Sequence, residues 1–295
     1  MKIIDTTTYF EEKLMMELRF NILDPYVDQF VVCEATFTHS GMKKPIKFNK
    51  EDYPDFKDKI IHLILDKEPS NLIKNENKPT TNELRLNSIK RIEAQRNHIG
   101  TILEKFSQDD YIIYSDNDEI PNLKNFDFKK NKNKIILFKQ KLFYYKFDLS
   151  IPYIDWYGSK SCKIKDFLNT TWLRSIKDKK YHFYRIDTLF SKLKYQNLKI
   201  VENGGWHFSN LKTLKELERK YLNDEMHAEY EELGYSVDKI KNHLKNKTIV
   251  YNHSAKKNSN ERYLPTKLTN VDISFLPEYI QKNKKKYLEW FDASI

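Results

Sequence analysis

The stretch YIIYSDNDEIPN, Tyr111 to Asn122, runs from a hydrophobic, β-prone segment into three acids within four residues: Asp116, Asp118 and Glu119. Carboxylates that close together repel one another, so either they face water at a strand end or a cation sits among them. In an extended segment residues two apart point the same way, which would present Asp116 and Asp118 together. Paired oxygen ligands of this kind suit Mg2+ or Mn2+, and such a metal could neutralise a diphosphate and help it leave. The competing reading, a solvated acidic turn, is one that a bare Asp-x-Asp does not exclude. A second candidate is NGGWHFSN, Asn203 to Asn210, which holds two of the chain's 6 glycines beside Trp206 and His207. Glycines permit tight backbone geometry, His207 could offer a neutral imidazole to the same metal, and Trp206 could stack on a sugar or base. The alternative here is a turn with a packed Trp and a hydrogen-bonded His.

The elements that must position these residues read as follows. KIIDTTTYF opens with a short strand, and EEKLMMELRFNIL places Leu14, Leu18 and Ile22 on one helical face. Asp24-Pro25 ends that helix. VDQFVVCEA and DYIIYS have the length and β-branched content of buried strands. Between them, KEPSNLIKNENKPTTN reads as a surface loop and ELRLNSIKRIEAQRNHIGTILEKF as one long helix. NKIILFKQKLFYYKFDL reads as a strand with aromatic neighbours, and YHFYRI and KIVENGGWHFS as short strands or turns. The remainder is mainly helical, through NLKTLKELERKYLNDEMHAEY, SVDKIKNHLKN and LPEYIQKNKKKYLEWF. Alternation of strand and helix in the first half predicts an α/β fold with a mostly parallel, doubly wound sheet and helical additions at the C-terminal end. In such sheets ligands bind beyond the carboxyl ends of the strands, which is where the acids following DYIIYS fall. One domain is expected over 1–295.

Composition narrows the class of partner. The chain has 295 residues, 39% hydrophobic and 14% aromatic, enough for a core and unlike a disordered chain. A net charge of +10 points to an anionic partner such as nucleic acid, a membrane surface or a phosphate-bearing ligand, although the lysines are spread along the chain. Cys33 sits in the apolar run FVVCEA and reads as a buried free thiol; a disulfide with Cys162 cannot be read from sequence. The N-terminus has no sustained apolar stretch and no run approaches a membrane span, so a cytoplasmic protein is the default expectation. On that expectation the sequons at Asn169, Asn246 and Asn252 carry no meaning.

Taken in order along the chain, the segments YFEEKLMMELRFNIL, VDQFVVCEATFTHSGMKKPIKF, EAQRNHI, DDYIIYSDNDEIPN, KQKLFYY, GGWHFS, HAEY and LPEYIQKNKKKY resemble glycosyltransferase family 17. They cover most of the length, and their joint order is far more specific than any one motif. The resemblance implies a GT-A type nucleotide-sugar fold, a divalent metal (Mn2+ or Mg2+), and inverting transfer of N-acetylglucosamine from its UDP donor to a glycan or glycoconjugate. It implies a nucleotide-sugar-binding half, 1–125, and an acceptor-side half, 126–295. Carried over by position, Asp116 and Asp118 look like the metal-binding acids and His207 like a further ligand or diphosphate contact. Glu34, at a strand end, and Arg96, Asn97 and Asp116 look placed for the donor, with Arg96 suited to its phosphates by its planar fork. Asn117 departs from the small or apolar residue expected between the acids. DWYGSKSCKIKDF keeps only a Trp-x-Gly, and NHSAKKNSNERYLP lacks the glycine-rich or arginine-bearing character expected there.

An inverting transfer needs a base to deprotonate the acceptor hydroxyl. Glu229, in HAEY, is the first candidate, with Glu119 and Asp155 behind it; His227 could orient Glu229 or contact phosphate. Two other classes compete. A nucleic-acid-binding module would need a clustered basic stripe, and a non-catalytic sugar-binding protein would not need the acids of DND.

Overall fold

The computed structural model describes residues 1–74, 79–179, 181–182, 184–223, 225, 227–232, 234, 236–249 and 264–292. The expected first strand and helix are Ile3–Tyr9 (β1) and Lys13–Leu23 (α1), followed by Gln29–Ala35 (β2) and Ile60–Leu65 (β3). Thr81–His98 forms α2, and Tyr111–Tyr114 forms β4. Next come short Glu119–Pro121 (β5), then Ile135–Phe138 (β6), Gln140–Tyr144 (β7), Leu149–Trp156 (β8) and Lys160–Lys163 (β9). After Thr170–Ser175 (α3) come Leu198–Val201 (β10) and Gly205–Ser209 (β11). Helices Leu214–Asn223 (α4), His227–Glu232 (α5) and Val237–Asn246 (α6) precede Thr248–Ile249 (β12), Thr266–Lys267 (β13), Thr269–Asn270 (β14) and Glu278–Lys282 (α7).

A seven-stranded central sheet has the order β10-β6-β9-β4-β1-β2-β3. Its pairs are parallel except at β9, which runs antiparallel to both β4 and β6. The expected mostly parallel sheet is therefore present, with one reversed strand inside it. Residues alternate cleanly between its two faces. Phe30, Val32, Tyr111, Ile113, Ile136 and Phe138 face the core under α1. Val31, Cys33, Ile112, Tyr114, Ile135 and Leu137 face the core built with Ile99, Leu103, Trp172 and Leu173. A sheet covered on both faces needs strands apolar throughout, which is why FVVC and YIIY carry no polar alternation. A second, five-stranded sheet has the order β14-β8-β7-β11-β5, and its own core lies with Leu217 and Tyr221 of α4 and Ile240 of α6.

Two expectations are corrected. The long helix ends at His98 and continues as tight 3-10 turns through Ile99–Lys105, consistent with the low helix propensity of its IGTI run. The segment read as one strand after Asn133 is two, broken at Lys139, with β6 in the central sheet and β7 in the second. Nothing in its alternation marks the break; Lys139 bonds instead to both β10 and the glycine turn, through Val201 O at 3.1 Å and Gly204 N at 2.6 Å. For YHFYRI the turn alternative holds, its described residues leading into a 3-10 turn at Ile186–Thr188. Both cysteines are buried and free, and burial pushes the Cys33 thiol up to about 12, so it is inert near neutrality. Among the described residues no helix is long and apolar enough to cross a membrane.

Candidate active site

The chain passes between the two sheets five times, at β4–β5, β5–β6, β6–β7, β8–β9 and β10–β11. The acidic stretch is the first of these crossings. It is a turn rather than an extended segment, closed by Glu119 N donating to Asp116 O at 3.0 Å. Asp116, Asn117 and Asp118 nevertheless line one cleft, of 280 Å³, together with Thr8 and Phe10 at the carboxyl end of β1 and Arg96 of α2. The acids thus lie beyond the carboxyl ends of β1 and β4, where an open α/β sheet binds its ligands.

Asp116 is held between two guanidinium groups. Its Oδ1 accepts from Arg96 Nη2 at 2.8 Å and from the Tyr114 hydroxyl at 2.7 Å, and its Oδ2 accepts from Arg174 Nε at 3.0 Å. Burial opposes its ionisation, but the two arginines outweigh it and hold the carboxyl well below the usual carboxylate range. Glu119 is fully buried. Its Oε1 accepts from Trp156 Nε1 at 2.7 Å and Arg174 Nη2 at 3.3 Å, and its Oε2 takes the Asp116 amide at 2.9 Å. A Cβ at position 158 would stand 2.0 Å from Glu119 Oε1, so Gly158 is required for that carboxylate to sit where it braces the turn.

Asp118 faces the second crossing motif. Gly205, at φ +135°, brings β11 so near β5 that a Cβ there would lie 2.2 Å from Ile120 O. The pairing of β11 with β5 sets His207 opposite Glu119, and Phe208 N donates to Asp118 O at 2.8 Å. His207 Nε2 lies 3.3 Å from Asp118 Oδ2 and its ring leans on Trp156 at 4.7 Å. Burial would lower the imidazole pKa, but Asp118 beside it raises it. In the metal-free chain Asp118 therefore favours the protonated imidazole. Its Nδ1 is buried and has no hydrogen-bond partner among the described residues. Trp206, one residue earlier, points to the other side of the strand and donates to Phe275 O at 2.6 Å.

The family model for glycosyltransferase family 17 matches residues 1–287. The chain belongs to that family. Two solved structures of HddC from Yersinia pseudotuberculosis, one of them complexed with GMP-PN, each align at 10% identity over 70% of this chain and 89% of theirs, with a TM-score of 0.26. No curated protein matches.

The remaining expected residues of this glycosyltransferase are distributed unevenly around the cleft. Glu34 is buried away from it. Its carboxylate accepts from Lys44 and from the Lys47 and Phe48 amides at 3.0 and 2.9 Å, and so anchors the loop after β2. Asn97 Oδ1 accepts from Thr171 N at 2.9 Å, capping α3. Asp155 is exposed and pairs with Lys139 at 2.9 Å. His227 opens α5; the Glu229 side chain and the segment 250–263 lie outside the described residues. Among the described residues no three His, Cys, Asp or Glu side chains converge as a preformed metal cage. Sequence reasoning missed Arg174 and Tyr114, which hold Asp116, and His39 and Lys220, which line the cleft. Trp156 and Gly158 were visible as the Trp-x-Gly of DWYGSK, and they form the wall behind Glu119. Arg174 carried no signal, because it reaches the acids from α3, which lies 58 residues beyond Asp116.

Proposed function

We propose that this family 17 glycosyltransferase has a GT-A type donor site and moves a sugar, N-acetylglucosamine from UDP-N-acetylglucosamine, to a hydroxyl of a glycan acceptor with inversion. The observation that carries the reading is Asp116 set between Arg96 and Arg174 at the sheet rim, next to Asp118 in the same cleft. A nucleoside diphosphate leaving group is a dense anion, and two guanidinium forks are suited to it. In the free protein Asp116 balances their charge and fixes their orientation, so they are preorganised. Tyr114 and Glu119 hold that arrangement from behind.

A divalent cation fits this donor set. Asp118 spends one contact on His207, and Mg2+ or Mn2+ in such sites takes most of its remaining ligands from phosphates and water. Asp118 would hold it, and Asp116 could share it by loosening one guanidinium; when bound, it would supply charge neutralisation for the departing diphosphate. The acceptor hydroxyl attacks the anomeric carbon as its C–O bond to the diphosphate breaks on the opposite face. The hydroxyl proton passes to a carboxylate base. Glu229 is the proposed base, since α5 packs against α2 and α4, the helices that bring Arg96 and Lys220 to the cleft. Glu119 would first have to release three donors, and Asp155 lies in an exposed ion pair.

The test is nucleoside diphosphate release from UDP-N-acetylglucosamine with Mn2+ and a glycan acceptor. Asp118→Ala should lower turnover by roughly a hundredfold or more, as loss of a charge-stabilising group typically does, while the melting temperature holds. Full activity in that variant, or in excess chelator, overturns the metal assignment. Glu229→Gln should cut turnover with donor affinity kept; a collapse of donor binding instead would place the base elsewhere.

A further inference from the structure

Between α3 and β10 the chain makes a closed loop whose base is well tied and whose tip is apolar. Lys177 N donates to Leu193 O at 2.9 Å, Trp172 Nε1 donates to Lys192 O at 2.6 Å, and Gln196 Nε2 donates to Thr188 Oγ1 at 2.7 Å. Asp187 ties the interior by accepting from Arg185 Nε at 2.7 Å and Lys194 Nζ at 2.8 Å. Polar contacts therefore tie the described residues of the loop, and the side chains of Ile186, Leu189 and Phe190 take no part in them. Ile186 is 67% exposed, Leu189 76% and Phe190 84%, all within one short turn. Single exposed apolar residues are ordinary on a protein surface, but three on one loop tip call for a partner.

The surrounding charge selects the partner. From Ile176 to Tyr195 the sequence carries six basic residues against two acidic ones, and Lys177, Lys179 and Lys192 are exposed. An apolar tip on a loop rich in exposed lysine matches a bilayer interface with anionic headgroups, where the tip enters the acyl boundary and the ammonium groups stay at the phosphate level. We propose that the turn 186–190 docks this protein on an anionic lipid surface, with Ile186, Leu189 and Phe190 as the inserted residues. The docking is independent of the donor and acceptor chemistry proposed above.

The experiment is co-sedimentation of the full chain, without nucleotide sugar, with vesicles of phosphatidylcholine alone or of an equal mixture with phosphatidylglycerol. The wild type should pellet with the mixed vesicles, less with the neutral ones, and less as salt rises. The double variant Leu189→Ser with Phe190→Ser, altered only at exposed positions, should keep the melting temperature and lose partitioning by about tenfold or more. Wild type that stays in the supernatant, a double variant that pellets like wild type, or equal binding to both vesicle types would overturn the proposal. So would concentration-dependent self-association in sedimentation velocity that the double variant abolishes, which would make a second copy of the chain the occupant.

Discussion

A single missing side chain decides whether the acidic turn can exist. Glu119 occupies the space that any Cβ at position 158 would need, and Glu119 in turn holds the Asp116 amide and Arg174. Gly158→Ala should therefore act in two ways. Forcing a methyl into the packed site should cost about 1–3 kcal/mol of stability, and the displaced carboxylate should release Arg174 from its angle toward Asp116. The checks are a denaturant melt and transfer activity measured on the same preparation. A variant with wild-type stability and turnover would show that the turn has slack. At this scale the sequence was informative in part. The three acids and the GGWH motif are local in sequence, and of them Asp116 and Asp118 line the cleft. Arg96 entered through the family resemblance, whereas Arg174 becomes meaningful only when α3 is folded against β4.

At the scale of elements, α3 is a short helix with one functional task, the presentation of Arg174, and it is secured at both ends. Asn169 caps its start by accepting from Trp172 N at 2.8 Å. At its end, Lys160 of β9 donates to Arg174 O at 2.7 Å and Ile176 O at 2.5 Å. Lys160 is buried, and its amine is pushed down to about 7, first by burial and then by the nearby Arg174 charge. The unfolded chain then binds a proton that the folded one lacks between about pH 7 and the ordinary lysine range near 10.4. Stability contributed through Lys160 should rise with pH across that window and be lowest below it. Lys160→Met should remove this slope relative to wild type in thermal melts taken from pH 6 to 10. The same substitution should lower turnover by about tenfold, or about 1.4 kcal/mol of barrier, and add little in an Arg174→Ala background, because both act on one group. The reversed strand β9 and the anchor on it were not legible in the sequence. KSCK is too short and mixed to read as a strand, and its place between β4 and β6 is set by its two neighbours. The break at Lys139 was hidden for the same reason, since a run can alternate without interruption while its halves serve different sheets.

Across the whole molecule, one buried ion pair joins the two sheets beneath the site. Arg19 of α1 donates twice to Asp5 of β1, each bond 2.6 Å, and once to Glu119 O of β5 at 2.7 Å. Both side chains are out of water. Arg19→Ala should cost about 3–5 kcal/mol, since it strands a buried carboxylate, and should show as a lowered midpoint in denaturant with the transition still cooperative. The parallel α/β core was legible because FVVC of β2 and YIIY of β4 are short apolar runs with a long helical segment between them. The second sheet was not, because it is assembled from the far ends of the same runs. The proposed division at residue 125 also looks different in three dimensions. β6, β9 and β10 complete the central sheet from beyond that point, and β5 joins the second sheet from before it. A chain stitched back and forth in this way cannot be inherited in pieces. Neither stretch can be exchanged as a module with a relative, so donor and acceptor preference would have to drift together, by single substitutions at the seam.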